Sequence, residues 1–274
     1  MSDDIVEFWP RLPPAHRLRL WEEVIRRYRL DPHVIYQRMT EAMAKILAPT
    51  KVLDVGAGQG NWYRSIRRTV GPAPLYVAVD SSESAVQRLE RRVRYDLRAT
   101  VHKAGAYPLP WNDGEYSWVG LHFMLYYVED ISAAISEAWR LTAPGGVLTA
   151  GTFGAKPFGE LDNIVDEVAG ELGVPSTPPY SAPFCLDNGT QFFPCSPDVY
   201  EFETGYLFPD ALSATNFMAA GPLWGRLGTA SQDASIRREA LTRLHAGIVR
   251  TFDGDHKVRI HTRMGFFLCA KSGL

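Results

Sequence analysis

The stretch best suited to ligand binding is a glycine-rich turn, Asp54-Val55-Gly56-Ala57-Gly58-Gln59-Gly60. An apolar run from Lys51 to Val55 leads into this turn, and helical sequence follows from about Asn61. A strand, a glycine turn and a helix in that order place a ligand over the carboxyl end of a sheet. Glycine permits positive φ and allows backbone N–H groups to approach a ligand closely. The turn is therefore predicted to bind a ligand.

A second acidic residue, Asp80, ends the next apolar run, Leu75 to Val79. It follows the glycine turn at the distance that one strand–helix–strand unit allows. Its two carboxylate oxygens form a fork that can accept both hydroxyls of a ribose. Ser81-Ser82-Glu83 begins a helix at the same point, so an ordinary helix cap is the alternative. We predict that Asp80 binds a ribose.

The glycine spacing separates this turn from a dinucleotide site. One residue, Gln59, stands between the last two glycines, whereas the dinucleotide fingerprint has two there. At every position the turn resembles Asp-x-Gly-x-Gly-x-Gly, the pattern of class I S-adenosylmethionine (SAM)-dependent methyltransferases. The resemblance implies that SAM is the cofactor and S-adenosyl-L-homocysteine the product. It assigns cofactor binding to the following residues: Asp54, Gly56, Ala57, Gly58, Gly60, Asp80 and Ser81.

Residues 105–116 extend the resemblance to the ubiquinone and biotin-pathway type of these enzymes, which reads Asp-Ala-x-x-Leu-Pro-Phe before strand four. Gly105 stands where that group has the acid that bonds the adenine amine. The resemblance therefore leaves adenine recognition to backbone groups near Ala106 and Tyr107. Ser117 replaces the aspartate that starts strand four, a change of local structure more than of chemistry. The change at Gly105 keeps open a SAM-binding protein without catalysis.

The end of strand four supplies the candidates for methyl transfer. Residues 125–130 resemble the family's Leu-His-His-Val-x-Asp, and residues just past this strand lie beside the methyl group in related enzymes. The resemblance implies His122, Tyr126 and Tyr127 as catalytic candidates, with His122 also touching the cofactor. Met124 is a further candidate for the pocket wall. Core packing is the alternative for each of these side chains.

Methyl transfer needs alignment of the two reactants and needs a general base only when the acceptor must lose a proton. His122 is the first candidate for that base, and His33 the second. A carboxylate acceptor would instead require an arginine, for which the sequence offers Arg38, Arg226, Arg259 and Arg263 without separating them. Dense aromatic residues near strand four favour an apolar or aromatic small molecule.

The order of elements predicts an α/β protein with a doubly wound, seven-stranded, mostly parallel Rossmann-like sheet. Residues 1–49 are predicted to form an N-terminal helical cap, and residues 50–274 the methyltransferase domain. The C-terminal third resembles trans-aconitate and malonyl-carrier-protein methyltransferases in the order of its elements. Within it, residues 153–197 and 209–254 are predicted to be inserts that cover the substrate. Glu137 and Arg140 match the family's Glu-x-x-Arg and predict a structural ion pair.

Length, charge and cysteine usage bound the remaining possibilities. The chain has 274 residues and a formal net charge of −2, which gives no general attraction to nucleic acid or anionic membranes. Its first residues, Met1-Ser-Asp-Asp4, are acidic where a signal peptide would be basic, so we expect no signal peptide, and the sequence contains no run of ~18 to 20 apolar residues. Cys185, Cys195 and Cys269 are too few and wrongly spaced for a disulfide framework or a zinc site. We expect a reduced, cytoplasmic protein without a bound metal, and a homodimer is one open possibility for its assembly.

These observations predict transfer of a methyl group from SAM to a small organic acceptor, at oxygen, nitrogen or carbon, by in-line displacement. The alternative within the enzymes is an RNA methyltransferase that uses the arginine-rich stretch 83–98. Against it stand the net charge, the lack of an appended RNA-binding module, and the residues Leu121-His-Phe-Met124 where an Asn/Asp-Pro-Pro-Tyr/Phe motif would stand. A NAD-dependent dehydrogenase is disfavoured by the glycine spacing.

Overall fold

The computed structural model describes residues 25–31, 34–254 and 256–273. Seven strands in this part of the chain form one sheet: Lys51–Val55 (β1), Leu75–Asp80 (β2), Ala99–Lys103 (β3), Tyr116–His122 (β4), Thr142–Phe153 (β5), Asp198–Phe208 (β6) and Val258–Ala270 (β7). Their order is β3-β2-β1-β4-β5-β7-β6. Strands β1 to β5 pair in parallel, and β7 runs antiparallel to β5. The predicted seven-stranded, mostly parallel sheet is confirmed.

Helices connect these strands and follow the predicted segments closely. The described α-helices are Val34–Ala44 (α1), Asn61–Thr69 (α2), Glu83–Val93 (α3), Ile131–Leu141 (α4), Glu160–Glu171 (α5), Ala211–Ala219 (α6), Pro222–Leu227 (α7) and Ala234–Thr251 (α8). Acidic or hydroxyl side chains cap four of them by accepting backbone N–H groups: Ser82, Asp130, Asp210 and Asp233. Such caps satisfy donors that the first helical turn leaves free. Helix α3 ends at Val93, inside the arginine-rich stretch 83–98.

The central strands are apolar because both faces of a parallel sheet are covered. Strand β4 is buried along almost its whole length. Ser117, predicted to affect local structure, bonds to the strand beside it: its hydroxyl donates to Lys51 O at 2.9 Å and accepts from Lys51 N at 3.1 Å. Strand β5 begins at Thr142, which pairs with Tyr116 before a register shift.

The predicted ion pair of α4 fixes the loop before β4. Arg140 Nη2 lies 2.7 Å from Glu137 Oε1. Glu137 also accepts the backbone N–H of Leu109 at 2.7 Å, and Arg140 donates to Trp111 O at 2.9 Å. The pair therefore ties residues 109–111 to α4, which agrees with a structural and not a catalytic role.

The described residues divide into two compact units. The first, called the sheet unit, comprises residues 34–154, 183–202 and 264–273; the second, called the helical unit, comprises residues 25–31, 155–182, 203–254 and 256–263. The sheet unit has a core made from β1, β2, β4, β5 and α4, and the helical unit has a separate core around α5, α6 and α8. The predicted cap at 1–49 and the predicted substrate-covering inserts stay predictions.

A disulfide corrects the expectation of reduced cysteines. Cys195 and Cys269 are 74 residues apart in the sequence, yet their Cα atoms lie 6.4 Å apart and their sulfurs are bonded. Cys269 belongs to β7, and the fold brings Cys195 beside it, a proximity that spacing along the chain does not reveal. Cys185 is buried and has a free thiol.

Two further predictions concern the N-terminal region and membrane-spanning helices. His33, the second candidate base, and residues 1–24 of the predicted N-terminal cap lie outside the described residues, whereas residues 25–28 are described and helical. Among the described residues, no helix combines the length and apolar character needed to cross a bilayer.

Candidate active site

The glycine turn after β1 adopts a backbone that favours glycine at three positions. Gly56, Gly58 and Gly60 have φ values of 70°, 53° and 74°. The backbone N–H groups of Gly56 and Ala57 donate to Val79 O at 2.8 and 3.0 Å, which fixes the turn against the end of β2. A Cβ on Gly56 would lie 2.7 Å from Met124 Cγ, whereas a Cβ on Gly58 would meet no atom within 4 Å. Gly58 is therefore the point of the turn that a ligand can approach.

Asp80 stands beside that point, at the end of β2. Its Oδ2 accepts the backbone N–H of Gly58 at 2.8 Å, and its Oδ1 accepts that of Ser82 at 2.8 Å. A carboxylate has about four lone-pair sites, so both oxygens can still accept a hydroxyl each. Ser82, and not Ser81, caps α3 by accepting the N–H of Ala85. Ser81 is exposed immediately after Asp80.

Asp54 is buried in β1 and has a partner on the neighbouring strand. The hydroxyl of Tyr76 donates to Asp54 Oδ2. Burial raises the pKa of Asp54 to about 7, although the hydrogen bond from Tyr76 acts in the opposite direction. A carboxyl group with a pKa near neutrality is strongly sensitive to nearby charge, so an ammonium group placed beside it would favour its ionised form.

His122 ends β4 and lies within a buried group of aromatic and polar side chains. Its Nε2 lies 2.9 Å from Thr149 Oγ1, and Trp118 Nε1 donates to the same oxygen at 2.9 Å. Its ring also meets that of Trp62 at a centroid distance of 4.3 Å. Burial lowers the pKa of His122 to about 3, so the imidazole is neutral. Gly120 makes this packing possible, because a Cβ there would collide with both rings.

An aromatic cluster surrounds the residue that follows β4. Phe123 has a φ of 58°, which is uncommon for a large side chain and typical of functional positions. Its ring contacts Phe153 at 4.9 Å and Tyr36 at 5.5 Å between centroids. Tyr126 lies next to Phe153, at 6.2 Å, and Tyr127 contacts Tyr126 but is 74% exposed. The cluster gives the sheet unit an apolar, aromatic wall beside His122.

A small cavity between α1 and α2 is lined in part by two arginines and by Tyr36, which also contacts Phe123. It has a volume of about 80 Å³ and is lined by Tyr36, Gln37, Asn61, Arg64, Ser65 and Arg68. Arg64 donates to Asn61 at 2.7 Å. None of the six lining residues is acidic, so the cavity suits a carboxylate or phosphate group. The sequence-based candidates for that role did not include Arg64 or Arg68.

Two of the arginines predicted as carboxylate partners have other contacts. Arg226 is buried in the helical unit, where its Nη1 lies 2.9 Å from Asp162 Oδ1 and its Nη2 pairs with Asp166. Arg38 lies over the ring of Phe202 at 5.2 Å. Arg226 therefore has a structural role in its own unit. Arg259 and Arg263 are exposed.

The stretch predicted to face adenine leaves room for the missing acid. Ala106 and Tyr107 are half-buried against the core of the sheet unit. A Cβ on Gly105 would lie 3.7 Å from Tyr107 O, which is an ordinary contact. Its backbone φ is not in the left-handed region. Glycine at this position is therefore not imposed by the fold.

The chemical groups of this site match those that SAM would present to it. The turn presents an approachable Gly58, the carboxylate of Asp80 can accept hydroxyls, and Asp54 offers a carboxyl group to a cation. Two buried side-chain nitrogens, Trp62 Nε1 and His122 Nδ1, have no hydrogen-bond partner among the described residues. The site thus combines acceptors suited to a sugar and an ammonium group with two buried nitrogens that lack a partner.

The sequence predicts the backbone of this candidate site but not its supporting side chains. Asp54, Gly58, Asp80 and His122 belong to strands or turns that end at one edge of the sheet unit. The sequence did not indicate the partners of the polar ones, which are Tyr76 for Asp54 and Thr149 for His122. For Asp54 the sequence did indicate that a partner must exist, because an acidic residue inside a buried strand requires a hydrogen-bond donor.

Comparison with known proteins supports the same interpretation. Residues 52–146 match a family described as a methyltransferase domain. The malonyl-[acyl-carrier protein] O-methyltransferase of Halorhodospira halophila is 31% identical over 141 residues, which is 51% of this chain and 48% of that protein. The demethylmenaquinone methyltransferase of Staphylococcus carnosus is 25% identical over 117 residues, 43% of this chain and 48% of that protein. The chain thus matches about half the length of these curated relatives.

Solved structures share the fold. The crystal structure of the YcgJ protein from Bacillus subtilis superposes with a TM-score of 0.56 at 14% identity, covering 87% of this chain and 99% of that chain. At such low identity, the similarity concerns the fold alone. It agrees with a Rossmann-like sheet carrying helices on its faces.

Proposed function

We propose that this chain, which carries a class I SAM-dependent methyltransferase domain, transfers a methyl group from SAM to a small organic acceptor. The observation that carries the proposal is the contact between the glycine turn and Asp80, in which Gly58 N–H bonds to the carboxylate at 2.8 Å. This contact places an approachable glycine beside a carboxylate, at the carboxyl end of two adjacent parallel strands, which supports binding of a nucleoside there. The two curated relatives described above are named for malonyl-[acyl-carrier protein] and demethylmenaquinone, which supports a small acceptor group.

Each part of the site has a proposed role in holding the cofactor. Gly56, Ala57, Gly58 and Gly60 shape the turn, and Asp80 accepts the ribose hydroxyls with Ser81 beside it. Asp54, held by Tyr76, takes the ammonium of the methionine end. Backbone groups near Ala106 and Tyr107 contact the adenine.

The cofactor supplies a methyl group on a positively charged sulfur, which is already activated for displacement. The work left to the protein is to align the acceptor atom at ~3 to 3.5 Å from the methyl carbon and to exclude water. His122, Tyr126 and the cluster around Phe123 line the region where the acceptor would lie. Tyr127, another sequence-based candidate, is mostly exposed and contributes less to this wall.

The acceptor is proposed to be small and to carry an apolar or aromatic part. The aromatic wall favours such a part, and the arginine-lined cavity between α1 and α2 favours an anionic group on the same molecule. Tyr36 connects the two features, because it lines the cavity and contacts Phe123. Residues 153–197 and 209–254 are proposed to cover the acceptor.

A labelled transfer experiment tests the proposal. The chain is incubated with methyl-tritiated SAM and a panel of small carboxylic acids, phenols and quinols, with RNA as a separate arm. Label is expected in a small molecule and not in RNA, and a Gly58→Val variant is expected to transfer none. Label in RNA alone would favour the RNA methyltransferase. Tight SAM binding without transfer to any acceptor would favour a binding protein without catalysis.

A further inference from the structure

The hydroxyl of Thr149 joins two buried rings in one chain of hydrogen bonds. Trp118 Nε1 and His122 Nε2 each lie 2.9 Å from Thr149 Oγ1. An indole N–H can only donate, so the threonine oxygen accepts from Trp118. Thr149 is fully buried, and within the described residues no other hydrogen bond to its side chain is present. The direction of the second bond then depends on where the hydroxyl hydrogen goes.

That hydrogen has one available acceptor among the described residues, which is Nε2 of His122. With a proton on Nε2, the hydroxyl hydrogen of Thr149 and the lone pair of Nδ1 would both be buried without a partner, whereas a proton on Nδ1 leaves only that N–H without a partner within the described residues. The network therefore places the single ring proton of His122 on Nδ1. The low pKa of His122, about 3 because of burial, agrees with a neutral ring. His122 consequently presents an N–H donor on the side away from Thr149.

A second donor lies next to it. Trp62 is 1% exposed and His122 is 4% exposed, and their ring centroids are 4.3 Å apart. Neither Trp62 Nε1 nor His122 Nδ1 has a partner within the part of the chain that the structure describes. Buried polar atoms of proteins almost always have one. Two N–H groups on contacting rings, both without acceptors, therefore indicate an oxygen atom that the described residues do not provide.

The strand pairing shows where His122 lies with respect to the glycine turn. His122 is the last residue of β4, and the preceding Leu121 pairs with Val55, the last residue of β1. Both strands thus end at the edge from which the turn departs. The ionisable groups on the same side are Asp54 and Tyr76 from the neighbouring strands and Tyr36 from α1. None of these three side chains is hydrogen-bonded to Nδ1 of His122.

We propose that His122 and Trp62 form a pair of neutral N–H donors for an oxygen of a bound carboxylate or carbonyl group, and that His122 is not a general base. Thr149 and Trp118 are positioning residues, which act by fixing the tautomer of His122. The proposal rests on the proposed function and deepens it. The oxygen belongs either to the carboxylate of SAM or to the methyl acceptor, and the experiment below separates these two sources.

The first measurement concerns the tautomer and uses the full chain without ligand. Nitrogen NMR of the histidine-labelled protein is expected to show His122 with a protonated Nδ1 and an unprotonated Nε2, without titration between about pH 5 and pH 8. Thr149→Ser is expected to keep this pattern, and Thr149→Val to lose it. A protonated Nε2, or an imidazolium at neutral pH, would overturn the proposal. This result does not depend on methyl transfer, so it is separable from failure of the proposed function.

The second measurement follows the Nδ1–H resonance during titration with three probes. A shift with S-adenosylhomocysteine but not with methylthioadenosine, which lacks the amino-acid end, would identify the cofactor carboxylate. A shift only when malonate is added to the S-adenosylhomocysteine complex would identify the acceptor. No shift with any probe would overturn the proposal and leave a buried water as the partner of the donors.

Substitutions test whether the two N–H groups contribute to binding affinity. His122→Leu and Trp62→Phe each remove one N–H donor, so the affinity for the probe that moves the resonance is expected to fall roughly 2- to 10-fold. His122→Asn keeps an N–H close to the position of Nδ1 and is expected to recover most of that affinity. Equal affinities for that probe in the wild type and in all three variants would contradict a donor role.

Discussion

The carboxylate of Asp80 accepts the backbone N–H of Gly58 at 2.8 Å. This hydrogen bond joins the end of β2 to the turn that follows β1, across two parallel strands that are 22 residues apart in the sequence at these positions. It orients the acid toward the one glycine of the turn beside which a Cβ would meet no atom within 4 Å. The relationship brings the two features proposed to bind the cofactor, the acid at the end of β2 and the glycine turn after β1, into direct contact.

Replacing Asp80 tests its role in holding the ribose. Asp80→Ala removes both acceptor oxygens and is expected to weaken SAM binding by ~1 to 3 kcal/mol, as for loss of charge-assisted hydrogen bonds. Calorimetric titration measures the change. Asp113→Asn is a suitable control, because Asp113 is an exposed carboxylate whose recorded contact is with Arg140. An unchanged dissociation constant for Asp80→Ala would remove Asp80 from the site.

Gly58→Val tests the approach of the ligand to the turn. The new side chain would occupy the space beside Gly58, so SAM binding is expected to be lost while the chain stays folded. Gly71→Val is a matched control, because Gly71 also has positive φ, 95°, and no atom within 4 Å of a Cβ. Both variants are expected to lose a similar ~1–2 kcal/mol or more of stability from backbone strain. Calorimetric affinity for SAM should vanish only for Gly58→Val, and binding by both variants would count against the account.

The buried carboxyl of Asp54 should make stability depend on pH. Burial raises its pKa from 3.8 to about 7 in the folded chain, so between these values the folded state holds a proton that the unfolded state has released. The folding free energy of the wild type relative to Asp54→Asn is therefore expected to become less favourable as pH rises from about 4 to about 7, by roughly 4 kcal/mol. Above pH 7 the difference should level off. Urea denaturation of both proteins across this range gives the comparison, and a difference that does not change with pH would show that Asp54 titrates normally.

Gly105→Asp tests the adenine side of the site. The resemblance implies an acid at this position, and the structure leaves ordinary room for a Cβ there. An aspartate that bonds the adenine amine should raise affinity for SAM roughly 2- to 10-fold. Gly105→Ala, which adds the carbon without the acid, should leave the affinity unchanged. Equal affinities for the aspartate and alanine variants would place the adenine elsewhere.

The sequence predicted features that depend on neighbouring residues and missed those that depend on distant ones. The turn from Asp54 to Gly60 and the acid at the end of β2 are readable because their meaning lies in spacing along the chain. The bond of Thr149 to His122 joins positions 27 residues apart, and the Cys195–Cys269 disulfide joins positions 74 apart. Such partners are fixed by strand register and packing, which a single sequence does not contain. The burial that lowers the pKa of His122 is a property of the same packing.

A crystal structure of the chain with S-adenosylhomocysteine tests the central claim most directly. The account predicts the ribose hydroxyls within hydrogen-bond distance of Asp80, the amino-acid end beside Asp54, and the nucleoside lying along Gly58. A nucleoside bound at another edge of the sheet, or a site at the turn that accepts a pyrophosphate and not S-adenosylhomocysteine, would contradict it.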